Sequence, residues 1–180
     1  LTAIHYLKRA YFEVEKVLVV APKRVAETVW SDELAEWEHT ATLRMSRIIG
    51  DAKARRKALS VDADIYVVSR DNLQWLVEEL GDNIPFDMLV IDELSSFKNP
   101  KAKRFKALRK LRPVIKRVVG LTGTPAANSL LDLWAPLYLL DRGERLGKYI
   151  TGYRDRYFMP TKYVGNVPVK YALREGSEET

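Results

Sequence analysis

The chain has 180 residues, 47% of them hydrophobic, and carries a net charge of +6. A chain of this length can form one substantial core. It has no Cys, which excludes disulfides and thiolate metal sites. It has only two His, which argues against a zinc site or a Ser-His-Asp site. No apolar stretch approaches the roughly 18 residues of a membrane-spanning helix, and the N-terminal residues lack the layout of a signal peptide. A cytosolic or nucleoid-associated location is therefore expected.

Short apolar runs typical of buried strands alternate with segments of helical periodicity along most of the chain. Strands are predicted at residues 16–21, 43–49, 65–68, 88–91 and 117–121, and helices at residues 1–12, 22–37, 51–59, 71–80 and 129–140, with a basic helix between the last two strands. This alternation predicts an α/β fold built on a parallel sheet. Trp30 and Trp37 on one predicted helix, and Trp134 in an apolar stretch, are predicted to be core residues.

The residues after 141 break this alternation. Residues 147–158 are predicted to be helical. Residues 163–171 are predicted to form a hairpin that turns at Gly165 and Asn166, with Pro168 restricting one arm to a sheet edge. We therefore interpret residues 1–141 as the α/β domain and residues 142–180 as a short helical and hairpin extension.

The segment FDMLVIDELSSFKNP, residues 86–100, contains the most informative pattern in the chain. A buried strand ends in two adjacent carboxylates, Asp92 and Glu93, and parallel sheets bind ligands at the carboxyl ends of their strands. In nucleoside triphosphatases the first such acid holds Mg²⁺, usually through water, and the second accepts a proton from the attacking water. Because side chains alternate along a strand, a turn beginning at Asp92 is required before both acids face one nucleotide. The alternative is an acidic strand end that caps the following helix.

A second strand end carries hydroxyl groups. Thr122 and Thr124 flank Gly123 and precede Pro125, directly after the predicted strand at residues 117–121. The hydroxyls could hydrogen-bond to the metal-binding acids or to the water near the terminal phosphate, and Gly123 allows close approach of the backbone. The alternative is a Gly-Pro turn in which Thr serves as a cap.

Positive charge is concentrated between residues 98 and 117. Ten basic residues and no acid lie there: Lys98, Lys101, Lys103, Arg104, Lys106, Arg109, Lys110, Arg112, Lys116 and Arg117. The rest of the chain has 20 basic and 24 acidic residues, a net charge of −4. We expect this segment to bind an anionic partner, either nucleic acid without sequence preference or an acidic surface of another domain. A solvated helix face is the alternative.

Together these segments resemble the Swi/Snf-type DNA translocases of helicase superfamily two. DELSSFKNPKAKRFKAL is similar to that family's Walker B segment, and LTGTPAANSLLDLWAPLYLLD to its motif III with the following helix. VLVVAPKRVAETVWSDELAEW is similar to motif Ia, and DIYVVSRDNL occupies the place of the next DNA-contacting segment. The resemblance covers residues 1–160. Where many relatives have Ala-His after the acid pair, this chain has Leu94 and Ser95.

The resemblance implies a three-layer, RecA-like fold of the P-loop NTPase type, with ATP and Mg²⁺ as cofactors. Asp92 would hold Mg²⁺ through water, and Glu93 would orient or deprotonate the attacking water. Thr122 and Thr124 would relay the nucleotide state. Contacts with DNA phosphates are implied for Lys23, Arg24, Ser69, Arg70 and Lys98. The implied partners are double-stranded DNA and a second RecA-like domain that supplies an arginine finger.

The phosphate-binding loop of such a motor is not found in the sequence. No segment fits G-x-x-x-x-G-K-[ST], and the only Gly-Lys pair, Gly147 and Lys148, is followed by Tyr149. In the resembling family, the phosphate-binding loop directly precedes a helix like the one predicted at residues 1–12. The loop and the strand before it are therefore expected upstream of Leu1. The alternative is a natural domain that has lost the loop. Without that strand, the strand before Thr122 is expected to present an unpaired edge.

The sequence is thus interpreted as the N-terminal motor domain of an ATP-dependent double-stranded DNA translocase from a phage or a prokaryote. By itself the chain is expected to hydrolyse ATP negligibly. Two alternatives stay open. One is another superfamily-two motor, such as an RNA helicase or a restriction translocase subunit, and the other is a nucleic-acid-binding scaffold that hydrolyses no ATP.

Overall fold

The computed structural model describes residues 1–124 and 129–177. One parallel sheet has the strand order β2-β3-β1-β4-β5, in which β1 is Val17–Ala21, β2 Met45–Ile48, β3 Ile65–Ser69, β4 Met88–Asp92 and β5 Arg117–Leu121. The α-helices are α1 Thr2–His5, α2 Trp30–Glu36, α3 Ala52–Ser60, α4 Leu73–Leu80, α5 Lys103–Leu111, α6 Trp134–Asp141 and α7 Ile150–Tyr157. π-helical turns follow α1 (Tyr6–Ala10) and precede α2 (Val25–Val29), and 3₁₀ turns cover Glu38–Thr40, Arg70–Asn72, Leu94–Phe97 and Leu130–Leu133. Among these described residues, no helix combines the length and apolar character needed to cross a membrane.

The central strands are buried on both faces of the sheet. β1 and β3 are rich in β-branched residues and wholly buried, as expected for parallel strands covered by helices on both sides. Because side chains alternate, Leu18 and Val20 join the core beneath α4, α5 and α6, whereas Val17 and Val19 join the core beneath α1 and α2. Helices therefore form a layer on each face, and the predicted three-layer α/β fold is confirmed.

The last strand of the sheet, β5, has one open edge. It pairs with β4 and with no other strand among the described residues. Its residues are only partly buried, and Leu121 at its end is 42% exposed. The unpaired edge predicted for the strand before Thr122 is therefore confirmed, and its free backbone N–H and C=O groups could pair with another strand.

The extension after α6 packs against the same core. The Tyr153 hydroxyl in α7 donates to Leu130 O over 2.7 Å, and Phe158 is buried. An antiparallel hairpin follows, with β6 Phe158–Val164 and β7 Val167–Leu173. It turns at Gly165, whose φ of +57° suits glycine. The predicted helix and hairpin are confirmed. The helix starts at Ile150, and both arms of the hairpin are longer than predicted. The domain boundary at residue 141 stays a prediction.

The ten basic residues between residues 98 and 117 do not form one surface. Arg112 is 8% exposed, and its guanidinium donates to the carbonyl oxygens of Leu139, Leu140 and Ile115. This side chain joins the end of α5 to the end of α6. The prediction of an anionic partner is therefore wrong for Arg112, because its donors are used inside the fold.

Candidate active site at the carboxyl edge of the sheet

Two neighbouring strands end side by side at the carboxyl edge of the sheet. Asp92, the last residue of β4, pairs with Leu121, the last residue of β5, so that Glu93 and Thr122 follow at the same level. Glu93 has φ 58° and ψ 59°, a left-handed conformation that is uncommon for a residue with a side chain. This conformation ends the strand and provides the turn that the sequence analysis required. The predicted turn after Asp92 is confirmed.

Two hydroxyl groups hold one oxygen of the Glu93 carboxylate. Thr122 Oγ1 lies 3.5 Å from Glu93 Oε1, at the outer limit of hydrogen-bonding distance, and Ser95 Oγ donates to the same oxygen. The backbone N–H of Thr124 donates to Thr122 Oγ1 over 3.3 Å. Glu93 Oε2 accepts no hydrogen bond from the described part of the chain, so it is open to a further donor. Pro125, which ends the Thr-Gly-Thr-Pro pattern, lies outside the described residues.

A glycine in β5 lets the turn after the acid pair pack directly against that strand. A Cβ on Gly120 would lie 2.5 Å from Leu94 Cδ2 and 3.2 Å from Leu140 Cδ2. Leu94, which directly follows the acid pair, is 5% exposed and fills this space. A Cβ on Gly123, by contrast, would meet no heavy atom within 4 Å. The close approach expected at Gly123 concerns the metal-nucleotide site and stays a prediction, whereas Gly120 is the glycine that allows close packing within the described chain.

An indole orients the carboxylate of Asp92. Trp30 Nε1 donates to Asp92 Oδ2 over 3.1 Å. Trp30 is the first residue of α2, is 7% exposed and packs in the core beneath that helix, so the donor is held rigidly. Asp92 itself is half-buried, and its Oδ1 accepts no hydrogen bond from the described residues. One oxygen of each acid is thus fixed by the protein.

The Asp92 site fits a Mg²⁺ ion bound mainly through water. In nucleotide sites, Mg²⁺ usually keeps several waters and takes one or two carboxylates together with substrate phosphates. Asp92 offers one anchored carboxylate with an open oxygen. No group of three or more His, Cys, Asp or Glu able to hold a metal occurs among the described residues. These donors therefore suit a water-rich magnesium site and not an all-protein metal cage.

The residues predicted to contact DNA phosphates differ in their exposure. Lys23 and Arg24 follow β1 and are exposed. After β3, Arg70 is half-buried, whereas Ser69 is 3% exposed, so a phosphate would reach its hydroxyl only if neighbouring groups moved. Lys98 Nζ lies 3.3 Å from Asp132 Oδ2, and this ion pair compensates part of its charge.

A parallel sheet that presents an acid pair and a hydroxyl-bearing turn at adjacent strand ends defines a RecA-like, ATPase-type domain. Residues 1–149 match the family model described as the SNF2-related domain. The chain belongs to this SNF2-related family, and the resemblance to Swi/Snf-type translocases is confirmed. A solved structure with the same fold is the Sulfolobus solfataricus SWI2/SNF2 ATPase core in complex with dsDNA, which matches with a TM-score of 0.72 and 28% sequence identity.

The chain corresponds to only part of each relative. The p41 protein of Acyrthosiphon pisum secondary endosymbiont phage 1 is 43% identical over 164 residues, which are 88% of this chain and 36% of that protein. The SWI/SNF-related matrix-associated actin-dependent regulator of chromatin subfamily A-like protein 1 of Bos taurus is 32% identical over 129 residues, 71% of this chain and 13% of that protein. The Sulfolobus match covers 87% of this chain and 31% of that chain.

Sequence reasoning missed two residues that contact the acids. In the sequence, Ser95 is only a departure from the family's pattern, whereas in the structure its hydroxyl donates to Glu93. The sequence predicts Trp30 to be a core residue, and its ring does lie in the core, but its N–H also contacts Asp92. A signal existed for Trp30: if β1 and β4 are neighbours, the helix after β1 must pass near the end of β4. The strand order needed for that argument was not evident from the sequence.

Proposed function

We propose that the chain is the first RecA-like domain of an ATP-dependent double-stranded DNA translocase. The observation that carries this proposal is the left-handed turn at Glu93, which brings its carboxylate 3.5 Å from Thr122 Oγ1 beside an Asp92 anchored by Trp30. Family membership and the likeness to an ATPase core solved with dsDNA support it. A phage or prokaryotic host is part of this proposal and is supported by the phage relative; action in the cytoplasm is proposed with it.

In this proposal the hydrogen bonds that each acid accepts determine its role in ATP hydrolysis. Asp92, oriented by the Trp30 indole, holds Mg²⁺ through water with Oδ1. Glu93, with Oε1 fixed by Ser95 and Thr122, uses Oε2 to orient the attacking water and accept its proton. The bound Mg²⁺ ion would neutralise charge on the phosphates of ATP.

Thr122 is proposed to relay the state of the nucleotide. Its Oγ1 lies near Glu93 Oε1 and also accepts the backbone N–H of Thr124. A change in what Glu93 binds would therefore alter the hydrogen bonds of Thr122 and the path of the backbone at Thr124. Ser95 supports this link, because its hydroxyl holds the same carboxylate oxygen at the place where many relatives have His.

Contacts with DNA are proposed at the same edge of the sheet, through Lys23, Arg24 and Arg70. Cations at strand ends hold backbone phosphates and fix the orientation of the duplex without reading sequence. Lys98 would join them only by exchanging Asp132 for a phosphate. A second RecA-like domain of the same polypeptide is the proposed partner across the ATP site.

ATP hydrolysis by the full-length protein tests this function. We expect double-stranded DNA to stimulate the rate, and RNA at equal nucleotide concentration to leave it near the basal value. Stimulation by RNA alone would favour an RNA helicase. Binding of DNA without any hydrolysis would favour the scaffold alternative and contradict the proposal.

The Trp30–Asp92 hydrogen bond gives a separate prediction. Trp30→Phe keeps a large ring in the core but removes the N–H that holds Asp92 Oδ2. Since loss of a group that orients a metal ligand typically costs about 10- to 100-fold in metal affinity, the Mg²⁺ concentration for half-maximal ATPase activity should rise at least about 10-fold. The maximal rate at saturating Mg²⁺ should change much less, because Glu93 is unaltered. A Mg²⁺ titration of steady-state hydrolysis measures both quantities.

A matched control is available on the same helical segment. Trp37 Nε1 donates to Glu33 Oε2 over 3.0 Å. This Trp is 52% exposed, so the prediction that Trp37 is a core residue is wrong. Trp37→Phe removes the same kind of bond without touching Asp92, so the Mg²⁺ dependence should stay at the wild-type value. Equal Mg²⁺ dependence of the two variants would exclude Trp30 as a positioning residue.

A further inference from the structure

A basic pocket outside the carboxyl-edge site lies between α5 and the start of α7. This α5–α7 pocket has a volume of about 260 Å³. Four cationic side chains line it: Lys101, Arg109, Lys148 and Arg154. They come from the loop before α5, from α5, from the loop before α7 and from α7, and no Asp or Glu is among the described lining residues. Separate stretches of chain thus bring positive charge to one concavity.

These cations are not neutralised within the described part of the chain. None of the four forms an ion pair with a described Asp or Glu. The guanidinium groups lie over aromatic rings instead, with Arg109 Cζ 5.3 Å from the ring centre of Tyr138 and Arg154 Cζ 5.2 Å from that of Tyr171. Stacking leaves N–H donors at the edge of a guanidinium available, and Arg154 Nε is buried without a hydrogen-bond partner among the described residues. Such groups suit an anionic ligand.

The backbone at the start of α7 adds to the positive field. The N-cap residue Tyr149 makes no side-chain capping bond, and the first turn of the helix contains no acid. The first N–H groups of a helix have no acceptor inside it and lie at the positive end of its dipole. Ile150 and Thr151, at this end of α7, line the pocket. An anion there would meet backbone donors as well as cationic side chains.

Two aromatic residues of the pocket favour a nucleotide unit over a simple inorganic anion as its ligand. Tyr149 is 71% exposed and borders the cations. Trp134 forms a buried wall, and its Nε1 donates to Gly147 O over 3.0 Å, which fixes the loop that carries Lys148. Cations beside an exposed ring are the combination with which proteins hold nucleic-acid backbones and stack on bases.

We propose that the α5–α7 pocket binds a backbone phosphate of DNA as a second contact, separate from Lys23 and Arg24. Those two residues lead into α2 on one face of the sheet, whereas α7 packs with α6 on the opposite face. The inference rests on the proposed function, which supplies DNA as the ligand. The pocket also gives a role to Lys148, which forms a Gly-Lys pair with Gly147 that does not belong to a phosphate-binding loop.

Paired lysine substitutions test the pocket. Lys101→Gln/Lys148→Gln removes two exposed charges that form no ion pair among the described residues, so folding should be retained. Affinity of the full-length protein for a labelled duplex should fall about 10-fold at moderate salt. The slope of log affinity against log salt should decrease by about 0.9, because one phosphate contact is lost and each such contact contributes about 0.9. Fluorescence anisotropy over a salt series measures both.

The control removes the same number of charges elsewhere. Lys53→Gln/Lys57→Gln changes two exposed lysines on α3, beside β2 at the other edge of the sheet. Its affinity should stay within about twofold of wild type, with the slope unchanged. Equal losses of duplex affinity in the two double variants would mean that only the total charge matters, and would contradict phosphate binding by the pocket.

Two further outcomes separate the possible failures. If the wild-type protein binds no duplex, the proposed function itself fails. If it binds duplex and the pocket variant binds equally well, only the pocket inference fails. Pyrophosphate titrated at constant ionic strength distinguishes a small phosphate compound from DNA: a pocket variant that loses pyrophosphate binding but keeps duplex affinity would contradict a backbone contact.

Discussion

Replacing Glu93 by Gln is expected to lower ATP turnover by the full-length protein at least about 100-fold while ATP binding stays within about threefold. The substitution keeps the size and polarity of the side chain and can still accept the hydroxyls of Ser95 and Thr122 on one oxygen. It replaces the open Oε2 by an NH₂ group, which cannot take a proton from water. Steady-state hydrolysis and equilibrium titration with a fluorescent ATP analogue measure the two effects.

Two controls make this result specific to Glu93. Glu36→Gln alters an exposed acid on α2, and hydrolysis should stay at the wild-type rate. Asp92→Asn weakens the proposed metal contact, so it should raise the Mg²⁺ requirement as well as slow turnover. Unchanged hydrolysis in Glu93→Gln would remove this acid from its role as base.

Replacing Asp64 by Asn is expected to lower the free energy of unfolding by about 3 kcal/mol. The Asp64 side chain is 4% exposed, and its Oδ1 lies 3.0 Å from Lys8 Nζ. Its Oδ2 accepts the backbone N–H of Arg44 over 2.7 Å and lies 3.5 Å from Arg9 Nη2. This carboxylate therefore joins the helical turn after α1 to the start of β2. Without the charge, Lys8, only 15% exposed, loses its buried counter-ion.

The effect of Asp64 should depend on pH with a defined sign. Burial alone would raise the pKa of Asp64, but the hydrogen bonds from the Arg44 N–H and from Lys8, with the charges of Lys8 and Arg9, outweigh it and lower the pKa. A lowered folded-state pKa stabilises the fold above the unfolded pKa of about 3.9, and this contribution is lost as pH falls through the folded-state pKa. The difference between wild type and variant should thus be full at neutral pH and shrink below about pH 4.

The neighbouring Asp62 serves as the control. It is 73% exposed, with Arg44 Nη2 at 3.0 Å and Lys16 Nζ at 3.8 Å. Exposed ion pairs contribute little, so Asp62→Asn should cost less than about 1 kcal/mol in urea denaturation. Equal losses for the two variants would show that Asp64 is not the buried anchor of this end of the sheet.

Much of the sheet could be predicted from the sequence because its strands are short, apolar and buried. The strands predicted at residues 88–91 and 117–121 are found at Met88–Asp92 and Arg117–Leu121. The turn at Gly165 was equally clear, since a Gly-Asn pair between two strand-like runs has few other conformations. Local propensity and burial agree at these positions, and each can be read from a few adjacent residues.

Contacts between distant elements could not be predicted in the same way. Trp30 and Asp92 are far apart in sequence, and their hydrogen bond exists only because β1 and β4 are adjacent. Arg112 looks like its basic neighbours in the sequence, but the ends of α5 and α6 enclose it. Gly120 resembles an ordinary strand glycine until Leu94 is seen to fill its space. Each case depends on tertiary packing, which periodicity does not encode.

Asp92 and Glu93 are proposed to serve one metal–nucleotide site. A crystal structure of the full-length protein with an ATP analogue and Mn²⁺ in place of Mg²⁺ tests this proposal. We predict one anomalous peak at a water-mediated distance from Asp92, roughly 4 Å, with the terminal phosphate next to Glu93. A metal peak held by other carboxylates, or a terminal phosphate remote from Glu93, would contradict the account.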